Sequence, residues 1–346
     1  MKIALVGHDF NFSNKDGVSR YSYELYKRLQ KSNKVFVYEA KSKMGFVANI
    51  LPGFKRYFIG TKIDEDVDIV HLTYPNAIYA RTKAPYAVTW HDASIFTRYA
   101  VYNPLNPDFY HYLGVVLPAL RNTGRAQGIT YNSEETRKSL VPYIGKCEDK
   151  INEVILHAID DAFIKEKIQE GGDRSDFVYV GSVQYSHKNI PFLISAFKKA
   201  ETGSNKLYIF TPTHKDLINP KYFEMEKVKI IIGASTEEII EKLKRSIALL
   251  HFSKLEGFGV PVLEAMAVGT PAVILENADI PKAVSKYAIK TSESSASDLI
   301  SRLAKEKPEL SDEAVEYAKS FSWDNTASKT LKFYKKVIER ASSSSK

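Results

Sequence analysis

Short apolar runs alternate with amphipathic helical segments along the whole chain. The runs have the length and β-branched composition of buried strands, and the segments between them repeat apolar residues every three or four positions, as in VSRYSYELYKRLQK. The first series of predicted strands is KIALVG, KVFVYEA, VDIVHL, YAVTWHD and AQGITYNS. After the charged break KEKIQEGGDRSD, a second series follows: FVYVGS, KLYIFT, KVKIIIG, IALLHFS and PAVIL. This alternation predicts parallel sheets covered by helices on both faces.

Two such series predict two doubly wound α/β domains, a division that also suits a chain of 346 residues. We assign residues 1–165 to the first domain and 166–322 to the second. The last helix, 323–341, is expected to pack back onto the first domain with Asp324 as its cap, and 342–346 to form a disordered tail. Parallel sheets bind ligands beyond the carboxyl ends of their strands, so we expect the site in a central cleft that both sheets face.

The segment KLEGFGVPVLEAMAVGTPAVI holds the strongest local signal for a site. Ser253 ends a strand, Pro261 is predicted as the first helical residue, and Gly269 stops the helix. Backbone amides at such a helix start favour an anion, and a diphosphate fits them well. The residues that supply these amides are Gly257, Phe258, Gly259 and Val260.

Two carboxylates flank these amides, Glu256 before them and Glu264 on the helix. An anion site does not need carboxylates, but a carboxylate can accept two hydroxyl hydrogen bonds at once. We therefore predict that the amides hold a diphosphate while the two glutamates hold polyols at its two ends. A sugar joined through a diphosphate to a ribose has this layout.

The stretch EGFGVPVLE resembles the E-x7-E signature of the retaining GT-B glycosyltransferases of family GT4. Further segments resemble that family and occur in the family's order: HDASIFTRY, YNSEETRKSL, YVGSVQYSHKNIPFLISAF, GASTEEIIEKLKRSIALLHFS and FSWDNTASKTLKFYKKV. The resemblance covers most of the chain. It implies the GT-B fold, which consists of two Rossmann-like domains.

Site roles follow from the resemblance position by position. It implies that Glu256 contacts the hydroxyls of the donor sugar and that Glu264 contacts the ribose. Lys188 would neutralise the diphosphate, and His91 would line the sugar side from the first domain. Gly17 would lie in the loop after the first strand, close to the donor phosphates and the acceptor.

Of the positions that depart from the family pattern, two bear on phosphate binding. The loop near Gly17 usually has paired glycines, whereas here Asp16 precedes a single one. Ser182, which we include among the donor-binding residues, stands where many members have an arginine. Lys188 and the amides would then hold the phosphate charge with less help.

The implied reaction is the transfer of a hexose from a nucleotide-diphosphate sugar, of the UDP-glucose or GDP-mannose type, to a saccharide, a glycolipid or a related acceptor. The resemblance implies that the anomeric configuration is retained. The diphosphate leaves as negative charge builds on it, so hydrogen-bond donors fixed at the leaving group would be the main catalytic device. We expect no cofactor and no metal, because a lysine and a helix end can replace the cation.

Two other functions stay open. A sugar-nucleotide epimerase with the same fold would turn over the donor without an acceptor. A non-catalytic surface or nucleic-acid binder would have kept the fold and lost transfer, and salt-dependent DNA binding without donor hydrolysis would indicate it. The formal charge of +8 permits this second reading, but the intact acid pair argues against it, so we expect no nucleic-acid partner.

The remaining features bear on location and on metals. A single cysteine, Cys147, and a first apolar run too short for a leader or a span favour a cytoplasmic protein. Basic and aromatic residues cluster at 53–60 and 96–113; these segments either contact the inner membrane face or sugar, or pack on their own domain. The acidic run DEDVD at 64–68 precedes a strand, so we interpret it as solvated charge and not as a metal site.

Overall fold

The computed structural model describes residues 1–7, 10, 17–39, 61–63, 66–75, 80–93, 95–96, 107–167 and 173–344. The chain divides into two compact units, one formed by Met1–His157 with Trp323–Lys346 and the other by Ala158–Ser322. The chain thus enters the second unit at residue 158, shortly before the predicted boundary at 165. The basic and aromatic cluster at 53–60 lies outside the described residues, as does most of the cluster at 96–113.

The first unit is built on a parallel six-stranded sheet. Its chain forms strands β1 (Lys2–Gly7), β2 (Lys34–Glu39), β3 (Thr61–Lys62), β4 (Ile69–Leu72), β5 (Ala80–Arg81), β6 (Tyr86–Trp90), β7 (Gly128–Tyr131) and β8 (Ile151–Val154). The sheet order is β2-β1-β4-β6-β7-β8, and β3 pairs separately with β5. The helices are α1 (Gly17–Leu29), α2 (Pro107–Arg125) and α3 (Glu134–Ile144). Strands β4, β6 and β7 are buried along their whole length, as continuous apolar runs predict.

The second unit repeats this plan with a second parallel sheet. Its strands are β9 (Phe177–Val180), β10 (Leu207–Thr211), β11 (Val228–Ile232), β12 (Ala248–His251), β13 (Ala272–Leu275) and β14 (Ile289–Thr291), in the order β11-β10-β9-β12-β13-β14. Its helices are α4 (Asp161–Lys165), α5 (Ile190–Lys199), α6 (Thr236–Lys244), α7 (Val260–Ala267), α8 (Lys282–Ser285), α9 (Ala296–Glu306) and α10 (Asp312–Lys319). The two parallel sheets with their helices confirm the predicted α/β class.

The last helix, α11 (Trp323–Ser344), packs on α1 and on strands β6 to β8 of the first unit. Its approach to β7 is so close that a Cβ atom on Gly128 would lie 2.4 Å from a Val337 methyl carbon. Residues 342–344 are helical and do not belong to a disordered tail. Asp324 lies inside the first turn and is not the cap; there its carboxylate is 3.3 Å from Nε of Arg28 on α1.

A buried polar network links α11 to the first sheet. His71 of β4 is fully covered; its Nδ1 lies 2.6 Å from the Tyr334 hydroxyl and its Nε2 lies 2.7 Å from Oγ1 of Thr89. Burial, together with the electrostatic effect of the neighbouring His91, lowers the pKa of His71 to about 3. The same two causes lower the pKa of His157 well below its ordinary value. Both rings are therefore neutral in the folded protein at neutral pH.

The described acids of the run at 64–68 lie at the entrance of β4, as predicted. Asp66 and Asp68 are exposed, and the Asp68 carboxylate accepts the backbone N–H of Lys2 at 2.8 Å. Among the residues that the structure describes, no three His, Cys, Asp or Glu side chains come together as a metal site would require. No helix in the described ranges is long and apolar enough to cross a membrane.

Candidate functional site

The candidate site of the second unit lies beside β9 and β12, the two central strands at which the strand order of the sheet changes direction. Strands β9 and β12 are neighbours, with Phe177 beside Ala248 and Val178 beside Leu249. The chain continues from β9 toward one edge of the sheet and from β12 toward the other. At such a switch point the loops after the two strands diverge and leave a crevice for a ligand.

The loop after β9 positions Lys188. The Tyr179 hydroxyl donates to the Ser182 carbonyl at 3.0 Å, and a single 3₁₀ turn, Ser186–Lys188, follows. Asn189 then takes a left-handed conformation with φ 56° and opens α5. Asparagine tolerates this region better than most residues do, which explains its place between the turn and the helix.

The loop after β12 positions Glu256 and is fixed by main-chain hydrogen bonds on both sides. The Lys254 N–H donates to the His187 carbonyl at 2.8 Å, which ties this loop to the one that holds Lys188. The Glu256 N–H donates to the Asp279 carbonyl at 3.0 Å, and the Asp279 N–H returns a bond to Lys254 at 2.9 Å. Main-chain hydrogen bonds therefore hold the loops after β9 and β12 to each other and to Asp279.

The helix predicted at the end of this loop is present as α7. Gly259 precedes it with φ 92°, a value that suits glycine because it has no Cβ. The helix starts at Val260, so Pro261 is its second residue and not its first, and it still lies in the turn where a missing N–H costs little. The positive end of the helix dipole thus lies just after the Glu256 loop.

Lys188 and Glu256 form a close ion pair. The Lys188 Nζ atom donates to both Glu256 carboxylate oxygens at 2.8 Å. His251, the last residue of β12, lies with Nε2 2.8 Å from Oε1 of the same carboxylate. Burial works against ionisation of Glu256, but the charges of His251 and Lys188 and their hydrogen bonds outweigh it and hold the pKa of the carboxyl well below its ordinary value. Glu256 is therefore a buried carboxylate with two donors.

The ring of Tyr179 packs on the ring of His251. The two rings are stacked with centroids 6.1 Å apart and planes 13° from parallel. Burial, and secondarily the negative charge of Glu256, raises the pKa of the Tyr179 phenol, which therefore stays a neutral donor. The His251 ring therefore contacts the Glu256 carboxylate through Nε2 and stacks with the Tyr179 ring.

Three buried polar atoms around the ion pair have no hydrogen-bond partner within the described part of the chain. They are Nδ2 of Asn189, Nδ1 of His251 and Oγ of Ser253. Native interiors contain few such atoms, because an unpaired buried donor or acceptor costs about 1–3 kcal/mol. Their position at the end of β12 and in the loops after β9 and β12 suits a polar ligand.

The structure brings together several of the residues that the sequence predicted. Lys188 and Glu256 are in contact, and Ser182 lies in the same loop as Lys188. Glu264 lies on α7, with only 6% of its surface exposed. The residues predicted to supply amides, Gly257, Phe258, Gly259 and Val260, form the approach to α7 and its first residue.

The two remaining predicted residues belong to the first unit. His91 follows β6, is 5% exposed and donates from Nε2 to the Thr73 carbonyl at 2.7 Å. Gly17 is the first residue of α1, is exposed, and a Cβ atom added to it would meet nothing within 4 Å. The structure thus gives no steric reason for glycine at this position.

The sequence analysis missed His251, Tyr179, Asn189 and Ser253 as members of this site. A signal for His251 existed, because it is the one polar side chain in the predicted strand IALLHFS before the strand's terminal serine. Polar residues at the carboxyl end of a parallel strand are candidates for a site. For Tyr179 no such signal exists, since its apolar ring reads as core.

Comparison with known proteins finds one family-model match, and it lies in the second unit. Residues 160–321 match the family model described as Glycosyl transferases group 1. Among curated protein sequences, none matches this chain.

Solved structures resemble the whole chain. Sucrose-phosphate synthase from Thermosynechococcus elongatus has a TM-score of 0.72 at 13% identity, covering 98% of this chain and 100% of its own. AviGT4, a glycosyltransferase involved in avilamycin A biosynthesis, has a TM-score of 0.61 at 19% identity, covering 98% of each chain. The apo form of WaaB, a lipopolysaccharide outer core galactosyltransferase, has a TM-score of 0.60 at 15% identity, covering 99% of this chain and 100% of its own. The chain therefore has the GT-B fold, and its second unit matches the group 1 glycosyltransferases.

Proposed function

We propose that this protein is a retaining glycosyltransferase of the GT4 type that transfers a hexose from a nucleotide-diphosphate sugar to a saccharide, glycolipid or related acceptor. The observation that carries the proposal is the Lys188–Glu256 ion pair at the switch point of the second sheet, directly before the start of α7. A cation, a carboxylate and a helix start at one crevice suit a ligand that has both phosphates and hydroxyls. The family match over residues 160–321 supports the same activity.

The donor would be held by charge at its centre and by hydroxyl contacts at its two ends. In this proposal the Lys188 ammonium and the amides at Gly259 and Val260 bind the diphosphate. Glu256 accepts hydroxyls of the transferred sugar, and Glu264 accepts those of the ribose. The unpartnered atoms of Asn189, His251 and Ser253 supply further donors and acceptors beside the sugar.

Transfer would proceed by departure of the diphosphate. Negative charge grows on the leaving oxygen while positive charge develops on the sugar ring. The Lys188 ammonium and the dipole of α7 favour the first charge, and the Glu256 carboxylate favours the second. We propose that no metal takes part, since these groups supply the positive charge, and that the anomeric configuration is retained.

The first unit would supply the acceptor side. His91 directly follows β6, and α1, which starts at Gly17, is the helix that follows β1 along the chain; a parallel sheet binds its ligands beyond the carboxyl ends of its strands. We propose that His91 contacts the transferred sugar and that Gly17 leaves room for the donor phosphates and the acceptor. Peripheral contact with an inner membrane face, in a cytoplasmic protein, would suit a lipid-linked acceptor.

A ligand screen tests the proposal. The purified protein is heated with a panel of nucleotide sugars that includes UDP-glucose and GDP-mannose, and a true donor raises the melting temperature because it binds the folded state. Transfer is then measured with the donor that shifts most, with and without saccharide and glycolipid acceptors. Donor turnover without any acceptor points to an epimerase. Salt-sensitive DNA binding with no donor turnover removes the enzymatic proposal.

A further inference from the structure

Glu256 has two partners, and they differ in how firmly the fold holds them. Lys188 reaches the carboxylate from a 3₁₀ turn on a flexible side chain that is 17% exposed. His251 belongs to strand β12, its side chain is 1% exposed, and Tyr179 stacks on it. Lys188 can therefore leave the carboxylate by rotation of its side chain, whereas His251 cannot leave without disturbing the strand.

The ion pair poses a problem for phosphate binding. Both Glu256 oxygens accept bonds from Lys188, so the carboxylate neutralises the lysine charge. To serve a diphosphate, Lys188 must give up part of this pairing. A carboxylate that is 9% exposed would then be left as a buried charge, which is strongly unfavourable without a second partner.

We propose that His251 is the positioning residue that keeps the Glu256 carboxylate ionised and in place while Lys188 turns to the diphosphate. The inference rests on the proposed function, which supplies the diphosphate. The Nε2 atom of His251 lies 2.8 Å from Oε1 of Glu256 while Lys188 is also bonded to this carboxylate, so the histidine contact does not have to form anew when the lysine departs. The charged and titratable side chains placed around the imidazole are Glu256, Lys188 and Tyr179.

This arrangement makes a prediction that a purely structural histidine would not. Without His251, Lys188 is the sole described partner of the Glu256 side chain. The carboxylate then holds Lys188 more firmly, and the affinity for phosphate falls because the lysine is less able to leave. If Glu256 is also made neutral, the lysine is free again and the loss of His251 no longer matters. The two substitutions should therefore be non-additive, with the second one rescuing the first.

The experiment measures binding of inorganic pyrophosphate, UDP and GDP by isothermal titration calorimetry. His251→Leu is expected to weaken binding of the pyrophosphate group about tenfold, the size expected for one charge-assisted contact. His251→Gln, whose amide can still donate to the carboxylate, should recover part of this loss. His251→Leu combined with Glu256→Gln should bind as well as Glu256→Gln alone. His214→Gln is the matched control, because this histidine of the same unit is exposed and lies outside the site.

The outcomes separate the two proposals. The role of His251 is overturned if His251→Leu lowers pyrophosphate affinity by the same factor with glutamate and with glutamine at position 256. It is also overturned if His251→Leu alone leaves the affinity unchanged. Absence of pyrophosphate binding by the wild-type protein also overturns it. Should the predicted non-additivity appear while no nucleotide sugar supports transfer, the His251 inference stands and the proposed function fails. Melting curves of each variant check that the site is compared in folded protein.

Discussion

In the proposed site, Lys188 is the residue on which phosphate recognition would depend most directly. It is the cation of the crevice, and a lysine that contacts a phosphate forms a charge-assisted hydrogen bond. We expect Lys188→Ala to weaken binding of UDP or GDP by about 10-fold to 100-fold, equivalent to ~1.4–2.8 kcal/mol. Calorimetric titration measures the change. Lys198→Ala, an exposed lysine on the following helix, should bind as the wild type does. Equal affinities in wild type and Lys188→Ala would exclude a phosphate role.

The two glutamates are expected to separate binding from transfer. Glu264→Ala should reduce the thermal shift produced by the donor, because it removes the proposed ribose contact. Glu256→Ala should lower the transfer rate more than it lowers nucleotide affinity, because its proposed partner is the sugar that reacts. Transfer kinetics and thermal shifts on both variants measure the difference. If the two variants lose rate and affinity in the same proportion, the separate roles are wrong.

At the residue scale, the sequence analysis singled out Lys188 and Glu256 but not the side chains packed around them. Lys188 and Glu256 were predicted because they belong to a recognisable pattern, and they are in contact. The pairing itself was not predicted. The two residues are 68 positions apart and meet only because β9 and β12 are adjacent strands. His251 and Tyr179 were missed for the same reason. Their roles come from which strands are adjacent, and no local pattern encodes that.

Gly259 determines the start of α7 at the scale of a single element. Its φ of 92° is accessible to glycine and strained for any residue with a Cβ, although the space around it is sufficient. We expect Gly259→Ala to lower the free energy of unfolding of the second unit by about 1–2 kcal/mol. Hydrogen exchange in peptides from 158–322 reports this unit, and weaker donor binding should accompany the loss.

Gly124 provides the matched control. It lies in α2, its φ is not positive, and an added Cβ atom would meet nothing within 4 Å. The same substitution there should be neutral or slightly stabilising, because alanine has the higher helix propensity. If Gly259→Ala behaves like Gly124→Ala, backbone conformation is not what requires glycine before α7.

Elements with a strong apolar pattern were predicted, and the short or half-polar ones were not. Each strand in the two predicted series is present. Strand β8 was missed because its sequence INEV is only half-buried at the sheet edge, and β14 because it has three residues. Each of the two large sheets therefore has six strands where the pattern indicated five. Edge strands contribute little apolar surface, so their sequences are under a weaker hydrophobic constraint.

At the scale of the whole molecule, acid should destabilise the first unit. His71 and His157 have lowered pKa values in the folded state, so between pH 6.5 and about 3 the unfolded chain binds protons that the folded protein does not. The stability that the neutral rings confer is thus complete above pH 6.5 and declines as the pH falls. The expected loss is roughly 1.4 kcal/mol per pH unit for each histidine.

Tryptophan fluorescence isolates this effect experimentally. The chain has two tryptophans, Trp90 and Trp323, and both belong to the first unit. Urea denaturation followed by their emission at pH 7.5 and pH 5.5 should give a lower unfolding free energy at the lower pH. His71→Gln should reduce the pH dependence, and His214→Gln, which lies in the other unit and is exposed, should leave it unchanged. A wild-type protein whose first unit is equally stable at both pH values would contradict the burial argument.

The return of α11 to the first unit has a consequence for how the protein is made. On the ribosome, the strands of the first sheet emerge early, but the helix that covers β6 to β8 is synthesised only after the whole second unit. The second unit consists of one contiguous segment, so it can fold once that segment has been made. Where the chain enters and leaves this unit, the Ile159 N–H donates to the Phe321 carbonyl at 3.1 Å. The first unit is therefore completed only after Trp323–Ser344 has been translated. Until then the apolar surface that α11 covers is exposed.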